Sequence, residues 1–452
     1  MNLNLLKNVY NDSPLYIKKI YSRIPVNIRN GGDYRKWLKF LKSSSIDISM
    51  FQFEKLKETL ILAYENTLYY RELFNEIHFN PYKFYDIDEY NRIPLLSKEI
   101  VKNNFDKLLI QPFNKSKSFF VTTGGTSGEQ AKFWQSNNIW KKEMAYVHYY
   151  WGKHGYTPKH LKASFRGGDF SELPVGIYWK NNPIQNEIHF SPFNLNRNTV
   201  NAYIKKLNEL KPLFFHGYPS SILSLIDNMN VIEKTLDYKV ECIFLVSENY
   251  TKEQINKIKS FFQCKVFSFY GHSERLIFAP TINDDLSLYQ IDPLYGYFEL
   301  ISNKNIIKSN NIIGEIIGTS FDNFSMPLIR YKTGDITSYN DFDNNIINQI
   351  EGEGRRWDQE YIEGLNSENI SLTALNMHSD IFKNVLNYQF YQEETGKLIL
   401  RMIVNNSFTE KDNDIILESF NKKIGNVIQF STKIMDNLEL TERGKFKLLI
   451  KK

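Results

Sequence analysis

Residues 122–135 read Thr-Thr-Gly-Gly-Thr-Ser-Gly-Glu-Gln-Ala-Lys-Phe-Trp-Gln, a glycine-rich loop set between β-type residues. Glycines let such a loop expose backbone N–H groups, and the threonine and serine hydroxyls add donors that suit the oxygens of a polyphosphate. The loop differs from the common NTPase loop, in which Lys-Ser/Thr follows the last glycine, because Glu129 follows Gly128 here. The predicted phosphate-binding residues are Thr123, Gly124, Gly125, Thr126, Ser127 and Gly128.

Four further segments follow the loop in a fixed order. They read Ser-Phe-Tyr-Gly-His-Ser-Glu-Arg at 268–275, Arg-Tyr-Lys-Thr-Gly-Asp-Ile at 330–336, Gly-Glu-Gly-Arg-Arg-Trp-Asp at 352–358 and Thr-Glu-Arg-Gly-Lys-Phe-Lys at 441–447. Together with the loop they resemble the adenylate-forming superfamily, which includes acyl-CoA synthetases and peptide-synthetase adenylation domains.

Within that superfamily the chain resembles the branch of phenylacetate–coenzyme A ligase and the capsular-polysaccharide protein CapK. Three segments carry this closer likeness: Ile-Pro-Leu-Leu-Ser-Lys at 93–98, Gly-Tyr-Pro-Ser-Ser at 217–221 and Val-Ser-Glu-Asn-Tyr-Thr at 246–251. The resemblance therefore spans most of the chain, from about residue 93 to residue 447.

Length and composition set the broad class. A chain of 452 residues with 42% hydrophobic and 15% aromatic residues can form two or more domains. The net charge of +5 is too small to indicate nucleic-acid binding, and no apolar run is long enough to cross a bilayer. The N-terminus has no secretion signal, and Cys242 and Cys264 are predicted to be buried free thiols. We therefore expect a cytoplasmic protein; its oligomeric state is left open.

Alternating apolar patterns predict an α/β fold with a largely parallel sheet. The predicted strands are 213–216, 240–246 and 265–270, and the predicted helices are 51–79, 138–151, 200–210, 219–234 and 251–262. Short β-type runs between 285 and 350 predict a small antiparallel sheet or distorted barrel, and 382–435 predict a small α+β layer. The resemblance implies a large domain at 1–357, made of layered α/β subdomains plus a small β-barrel, and a small mobile α+β domain at 358–452.

The resemblance also assigns roles in an active site. Glu274 corresponds to the family's acidic residue that helps to hold Mg²⁺ on the phosphates of ATP, and hard cations do prefer carboxylate oxygens. Asp335 corresponds to the aspartate that binds the ribose hydroxyls, although Thr-Gly-Asp also suits a β-turn. Lys445 corresponds to the lysine that offsets charge during adenylation. The other residues implied are Arg355 near the ribose or α-phosphate, Asp358 as the hinge, Tyr270 beside the adenine, and Gly271, His272 and Ser273 around the nucleotide.

The expected pocket for the acid is harder to read. The resemblance places it near two segments that contain Phe215, His216, Tyr218, Ser247 and Glu248. Arg166 is a further candidate for an anionic group, and the Gly-Gly-Asp turn that follows it is a competing explanation. Isolated histidines in such places are commonly structural.

The implied function is an ATP-dependent ligase that forms an acyl-adenylate and passes the acyl group to a thiol, that of coenzyme A, or to an amine. An amide-forming ligase that couples an amino acid and a uronic acid, as in surface-polysaccharide synthesis, remains open. Glu129-Gln130 stands where relatives often have Lys-Pro, so a catalytically impaired nucleotide-binding homologue is another alternative. The aromatic-rich residues 1–60 leave open a membrane or assembly role.

Overall fold

A computed structural model describes residues 13–43, 46–122, 131–168, 170, 173–284, 286–303, 305–342, 348–352, 361–366, 368–375, 377, 380–439 and 448–451. The helices are α1 Leu15–Ser22, α2 Val26–Arg29, α3 Gly31–Leu41, α4 Ile48–Asn66, α5 Leu68–Glu76, α6 Ile87–Tyr90, α7 Lys98–Asn103, α8 Asn137–Gly152, α9 Val200–Leu210, α10 Pro219–Val231, α11 Lys252–Phe262, α12 Leu372–Leu375 and α13 Glu410–Ile424. The strands are β1 Ser118–Thr122, β2 Lys132–Ser136, β3 Lys162–Phe165, β4 Trp179–Asn182, β5 Glu187–Phe190, β6 Phe214–Gly217, β7 Cys242–Leu245, β8 Lys265–Gly271, β9 Phe278–Pro280, β10 Leu288–Gln290, β11 Gly296–Ser302, β12 Asn305–Ile306, β13 Ile313–Ser320, β14 Tyr331–Asp341, β15 Gln349–Glu351, β16 Tyr361–Glu363, β17 Asn369–Ser371, β18 Val385–Gln392, β19 Lys397–Val404, β20 Gln429–Ile434 and β21 Leu449–Lys451.

The chain divides into two compact units, each assembled from distant stretches of sequence. Unit 1 contains Met1–Val121, Lys132–Pro158 and Phe267–Arg356, and unit 2 contains Thr122–Ala131, Lys159–Val266 and Trp357–Lys452. The expected division into domains at 1–357 and 358–452 stays a prediction. Among the described helices, none has both the length and the apolar character needed to cross a bilayer.

In unit 1, the helical pattern of residues 51–79 forms two helices instead of one. Thr67 separates α4 from α5, with an extended backbone at φ −123° and ψ 141°. Its hydroxyl donates to the carbonyl of Ala63 at 2.8 Å and accepts from the amide of Tyr70 at 3.2 Å. One side chain therefore satisfies the end of α4 and the start of α5, which makes the break favourable although the apolar period continues through it.

The predicted small β-barrel is observed as a six-stranded antiparallel sheet of unit 1. The strand order is β10-β15-β14-β13-β11-β12. Within this sheet the pairing of β14 with β13 is interrupted. On β14 the register advances from Lys332 to Ile336 while β13 advances only from Ile317 to Glu315. Residues 333–335 therefore form a bulge outside the ladder.

Arg330, directly before β14, joins this sheet to the segment at 93–98. Its guanidinium is buried and makes a two-pronged ion pair with Glu299, with N–O distances of 2.8 and 3.1 Å. The same guanidinium donates to the carbonyls of Asn91 and Ile93 at 2.8 and 2.6 Å, and the Arg330 carbonyl accepts from the amide of Leu96 at 2.9 Å. Burial raises the pKa of Glu299, and the Arg330 charge opposes that rise. The carboxylate thus depends on this one arginine.

We expect Arg330→Met to destabilise the protein by about 3–5 kcal/mol, because it leaves the Glu299 carboxylate buried without its cation. Lys332→Met is the matched control: Lys332 of β14 pairs with Glu315 of β13 at 3.1 Å, but 40% of its side chain is exposed. Lys332→Met should lower the free energy of unfolding by less than about 1 kcal/mol. Urea denaturation measures both, and equal losses in the two variants would contradict the interpretation.

Unit 2 contains the predicted α/β layer. Its strands follow the order β4-β5-β3-β6-β7, with β5, β3, β6 and β7 parallel and β4 antiparallel at the edge. The predicted helices at 200–210 and 251–262 match α9 and α11 closely. Strands β3 and β5 had not been predicted from the sequence.

The last part of the chain in unit 2 forms the predicted α+β layer. Its sheet has the order β20-β19-β18-β21, and α13 packs on it through Ile416, Phe420 and Ile424. Phe170 and Phe193 belong to the same core cluster, so this layer shares a core with the 159–266 stretch. Both cysteines of the chain are free thiols; Cys242 is buried as predicted, whereas Cys264 is only half-buried.

Candidate active site

Several of the predicted site residues lie outside the described part of the chain. These are the phosphate loop Thr123–Gly128, Arg355, Asp358 and Lys445. Their roles remain predictions. The other candidates lie in described segments and fall into two groups, one in each unit.

In unit 1, the segments at 268–275 and 330–336 are joined by two reciprocal tyrosine–carboxylate contacts, which we call the tyrosine brace. The hydroxyl of Tyr270 donates to Oδ2 of Asp335 at 2.8 Å. The hydroxyl of Tyr331 donates to Oε1 of Glu274 at 3.2 Å. Each segment supplies one tyrosine and one carboxylate, so the two predicted nucleotide-binding carboxylates lie on adjoining segments of one site.

Glu274 is buried and yet held as a carboxylate. Burial acts to raise its pKa, but the close approach of His272 and local hydrogen bonds outweigh it, and the pKa of Glu274 is lowered overall. Tyr331 is also buried, and burial together with the charge of Glu274 raises the pKa of its hydroxyl. The tyrosine therefore stays protonated and can donate to the carboxylate.

The bulge at 333–335 presents Asp335. The Thr333 hydroxyl donates to the Ile316 carbonyl at 2.8 Å and accepts from the Asp335 amide at 3.1 Å. Gly334 has φ +81°, a conformation that side-chain-bearing residues rarely adopt. The Thr333 side chain thus fixes the bulge, and Gly334 allows the backbone to turn. Asp335 is half-buried and lies outside the ladder.

Gly271 is the last residue of β8, and His272 and Ser273 lie in the turn that follows it. The Ser273 carbonyl accepts from Nε2 of Gln135 at 2.8 Å, which fixes the turn against β2. Nδ1 of His272 lies 3.3 Å from Oε2 of Glu274, without the alignment of a hydrogen bond. Nε2 of His272 is buried and has no hydrogen-bond partner among the described residues. An unsatisfied buried nitrogen is costly, so this atom is suited to a ligand.

These residues fit the groups that the resemblance implies. A half-buried carboxylate such as Asp335 can accept from both hydroxyls of a ribose, and Glu274 offers the oxygen ligand that Mg²⁺ prefers. No cluster of three His, Cys, Asp or Glu side chains suited to a metal occurs in the described part of the chain. When substrate phosphates supply other oxygen ligands of Mg²⁺, the protein commonly contributes only one or two carboxylates.

In unit 2, the pocket candidates at 215–218 differ in their surroundings. Phe215 is fully buried, with its ring 5.4 Å from that of Phe165 and 5.6 Å from that of Phe262, so it packs in the core. His216 faces the other side of β6, and burial lowers its pKa well below the usual value, with the nearby charge of Arg166 acting in the same direction. Tyr218 precedes α10, and burial raises its pKa.

Glu248 has a structural partner. Its two carboxylate oxygens accept from the amide and from the hydroxyl of Ser220, both at 3.0 Å. Ser220 lies in the first turn of α10, where a negative charge is favourable. This contact ties the segment at 217–221 to that at 246–251. Ser247 is exposed and has φ +64°, which turns the chain towards α11. The pocket roles of all five residues remain predictions.

A polar row that had not been predicted from the sequence lies beside His216. In the parallel register, Ser164 of β3 pairs with His189 of β5 on one side and with His216 of β6 on the other. Arg166 follows β3, and its Nε donates to the Ser164 hydroxyl at 3.0 Å. Burial lowers the pKa of His189 to about 4, so its ring is neutral at physiological pH. The row lies towards the carboxyl ends of the strands, where ligands of parallel sheets bind.

Comparisons with known proteins agree with the fold and the motifs. Residues 365–452 match the CapK C-terminal domain family. The chain is 24% identical to Protein CapK of Staphylococcus aureus, over 99% of each chain. The fold is similar to that of 2-hydroxyisobutyryl-CoA ligase, solved with 2-HIB-AMP and CoA in the thioesterification state, with a TM-score of 0.55, 17% identity and coverage of 90% of this chain and 89% of that one. The same ligase in its postadenylation state with 2-HIB-AMP gives a TM-score of 0.52 at 17% identity over 88% of each chain.

The predicted likeness to CapK is confirmed. The predicted α/β fold class is confirmed as well, since the fold is similar to that of the solved 2-hydroxyisobutyryl-CoA ligase. The likeness to Protein CapK extends along the whole chain, whereas the matched family domain covers its C-terminal part.

We expect Tyr331→Phe to destabilise the protein by about 1–3 kcal/mol, because it removes a hydrogen bond from the buried Glu274 carboxylate. Tyr339→Phe is the control, since Tyr339 is buried on the same strand and its hydroxyl makes no hydrogen bond to a described residue. A double-mutant cycle of Tyr331→Phe with Glu274→Gln, read by urea denaturation, should give a coupling energy of roughly 0.5–3 kcal/mol. Additive losses would show that the brace is not an energetic pair.

Proposed function

We propose that this chain is an AMP-forming ligase that joins a carboxylate to the α-phosphate of ATP, releases pyrophosphate, and transfers the acyl group to a thiol or an amine. The observation that carries the proposal is the tyrosine brace, since it brings the carboxylates of two family motifs, Glu274 and Asp335, to adjoining positions. The adenylate-forming fold supports it. Because both cysteines are free thiols and the proposed reaction uses ATP, we also propose a cytoplasmic location.

The described residues have distinct tasks in this proposal. Asp335 accepts hydrogen bonds from the ribose hydroxyls and so fixes the nucleotide on β14. Tyr270 holds Asp335 in place and stands beside the base. Glu274 stays ionised in a buried position and is the residue that would hold Mg²⁺. When bound, Mg²⁺ would neutralise phosphate charge and ease the approach of the incoming carboxylate.

The remaining tasks fall to residues outside the described part of the chain. The 123–128 loop would bind the phosphates that leave as pyrophosphate, and Arg355 would lie near the ribose or the α-phosphate. Lys445 would offset the charge that develops between the attacking carboxylate oxygen and the α-phosphorus. Asp358 would act as the hinge of a mobile C-terminal domain that serves the two half-reactions in turn.

We further propose that the acid is polar. Nε2 of His272 is buried without a partner among the described residues, and a hydroxyl, amine or second carboxylate on the substrate would satisfy it. Hydroxy acids, uronic acids and amino acids therefore rank ahead of aryl acids. The acceptor we propose first is the thiol of coenzyme A, which the solved 2-hydroxyisobutyryl-CoA ligase binds. An amine acceptor in surface-polysaccharide synthesis is the second candidate, supported by the likeness to Protein CapK.

Pyrophosphate release across a panel of polar and aryl acids tests the activity. With the best acid, we expect Asp335→Asn to raise the KM for ATP roughly 10- to 100-fold, because it weakens charged hydrogen bonds. Lys445→Ala should lower kcat for adenylation by about 10²–10³-fold. Asp341→Asn, an exposed change at the end of the same strand, is the control.

The outcomes separate the alternatives. Trapped acyl-AMP without an acceptor, followed by thioester with coenzyme A or by amide with an amino sugar or amino acid, identifies both half-reactions by mass spectrometry. If no acid releases pyrophosphate while calorimetry still detects ATP binding, the chain is a nucleotide-binding homologue without catalysis.

The His272 assignment has its own test. His272→Leu should raise the KM for a polar acid about tenfold or more, because the acid loses a hydrogen bond. It should raise the KM for ATP by less, because His272 reaches the nucleotide site only through Glu274. His272→Gln should raise the KM for the polar acid by less, because the glutamine amide can still form a hydrogen bond with it. A raised KM for ATP with an unchanged KM for the acid would overturn the assignment.

A further inference from the structure

Helices α1 and α2, with the short link between them, expose large apolar side chains that the described residues of unit 1 leave partly or largely uncovered. We call this the N-terminal apolar face; it consists of Tyr16, Ile17, Ile20, Tyr21, Ile24 and Ile28. Tyr16 is 65% exposed, Ile20 63% and Ile28 61%. The four residues on α1 follow the spacing i, i+1, i+4 and i+5, which places them on one side of the helix.

These helices do not belong to the core. Every residue between 16 and 33 is exposed or half-buried, and α2 contributes no buried side chain. Helices of 8 and 4 residues are too short to be stable in water through their own hydrogen bonds. An apolar face on such short helices would gain stability by burial against a further surface.

The charge of residues 13–43 indicates which kind of surface the N-terminal apolar face would bind. Residues 13–43 contain eight Lys or Arg residues and one acidic residue, Asp33, so they carry +7 whereas the rest of the chain carries −2. Asp33 is paired with Lys141 at 2.9 Å. Lys19, Arg23 and Lys36 are exposed around the apolar residues. Two copies of so positive a segment would repel each other, which disfavours a dimer through this face.

We propose that the N-terminal apolar face docks this chain on an anionic lipid surface. The apolar side chains enter the boundary between headgroups and acyl chains, and the surrounding lysines and arginines contact the acidic headgroups. Tyrosine is well suited to this boundary because its ring is apolar and its hydroxyl remains hydrated. The chain would then act at a membrane surface as a peripheral protein, independently of which acid it activates.

Flotation of the full chain with vesicles tests the proposal. We expect binding to phosphatidylcholine vesicles that contain phosphatidylglycerol, weaker binding as salt rises, and no binding to phosphatidylcholine alone. Lys19→Gln/Arg23→Gln/Lys36→Gln should weaken binding by roughly 10- to 100-fold or more, at about 1 kcal/mol per basic residue. Tyr16→Ser/Ile20→Ser/Ile28→Ser should abolish it. All six positions are exposed, so the fold should survive, as checked by urea denaturation.

The matched control is Val231→Ser/Ile312→Ser/Ile434→Ser, which removes exposed apolar side chains elsewhere and should bind like the unmodified chain. Failure to float with the anionic vesicles overturns the proposal, as does equal binding by the variant with serines at 16, 20 and 28. Self-association in sedimentation velocity that this variant abolishes would assign the face to a second copy instead. Neither result bears on pyrophosphate release.

Discussion

The candidate site depends on one constraint: the carboxylates of Glu274 and Asp335 must be held in partly or fully buried positions by partners that do not neutralise them. The tyrosine brace meets this constraint without placing a permanent positive charge beside either carboxylate. A protonated phenol donates to each acid and leaves its negative charge intact. A lysine or arginine in the same place would neutralise the charge that a cation or a diol needs. Arg330 and Glu299 show the contrasting solution, in which the ion pair satisfies itself and serves the fold.

Backbone irregularities position the functional groups on otherwise regular elements. The bulge at 333–335 places Asp335 outside the ladder of the six-stranded sheet. Arg330, directly before β14, anchors the start of that strand through Glu299. In unit 2 the positive φ of Ser247 turns the chain after β7, and Glu248 then caps the first turn of α10. In unit 1 the irregular segment interrupts a strand and in unit 2 it follows one, and candidate residues lie on both segments.

The sequence predicted the elements whose pattern is local and missed those set by distant partners. The helices α9 and α11 could be read directly because their residues are contiguous. The break at Thr67 was missed because the apolar period runs through it. Strands β3 and β5 were missed because Lys162 and Glu187 make them look like loops; inside the sheet these two charges pair at 3.2 Å. The contacts of Tyr331 with Glu274 and of Glu248 with Ser220 depend on register and chain crossing, which no local pattern encodes.

The brace has a geometric consequence. In both segments the tyrosine precedes its own carboxylate by four residues, Tyr270 with Glu274 and Tyr331 with Asp335. The pairing is crossed, so each segment contributes a donor to one contact and an acceptor to the other. A deletion within either interval would therefore shift a donor relative to an acceptor and disturb both contacts, although it alters only one segment.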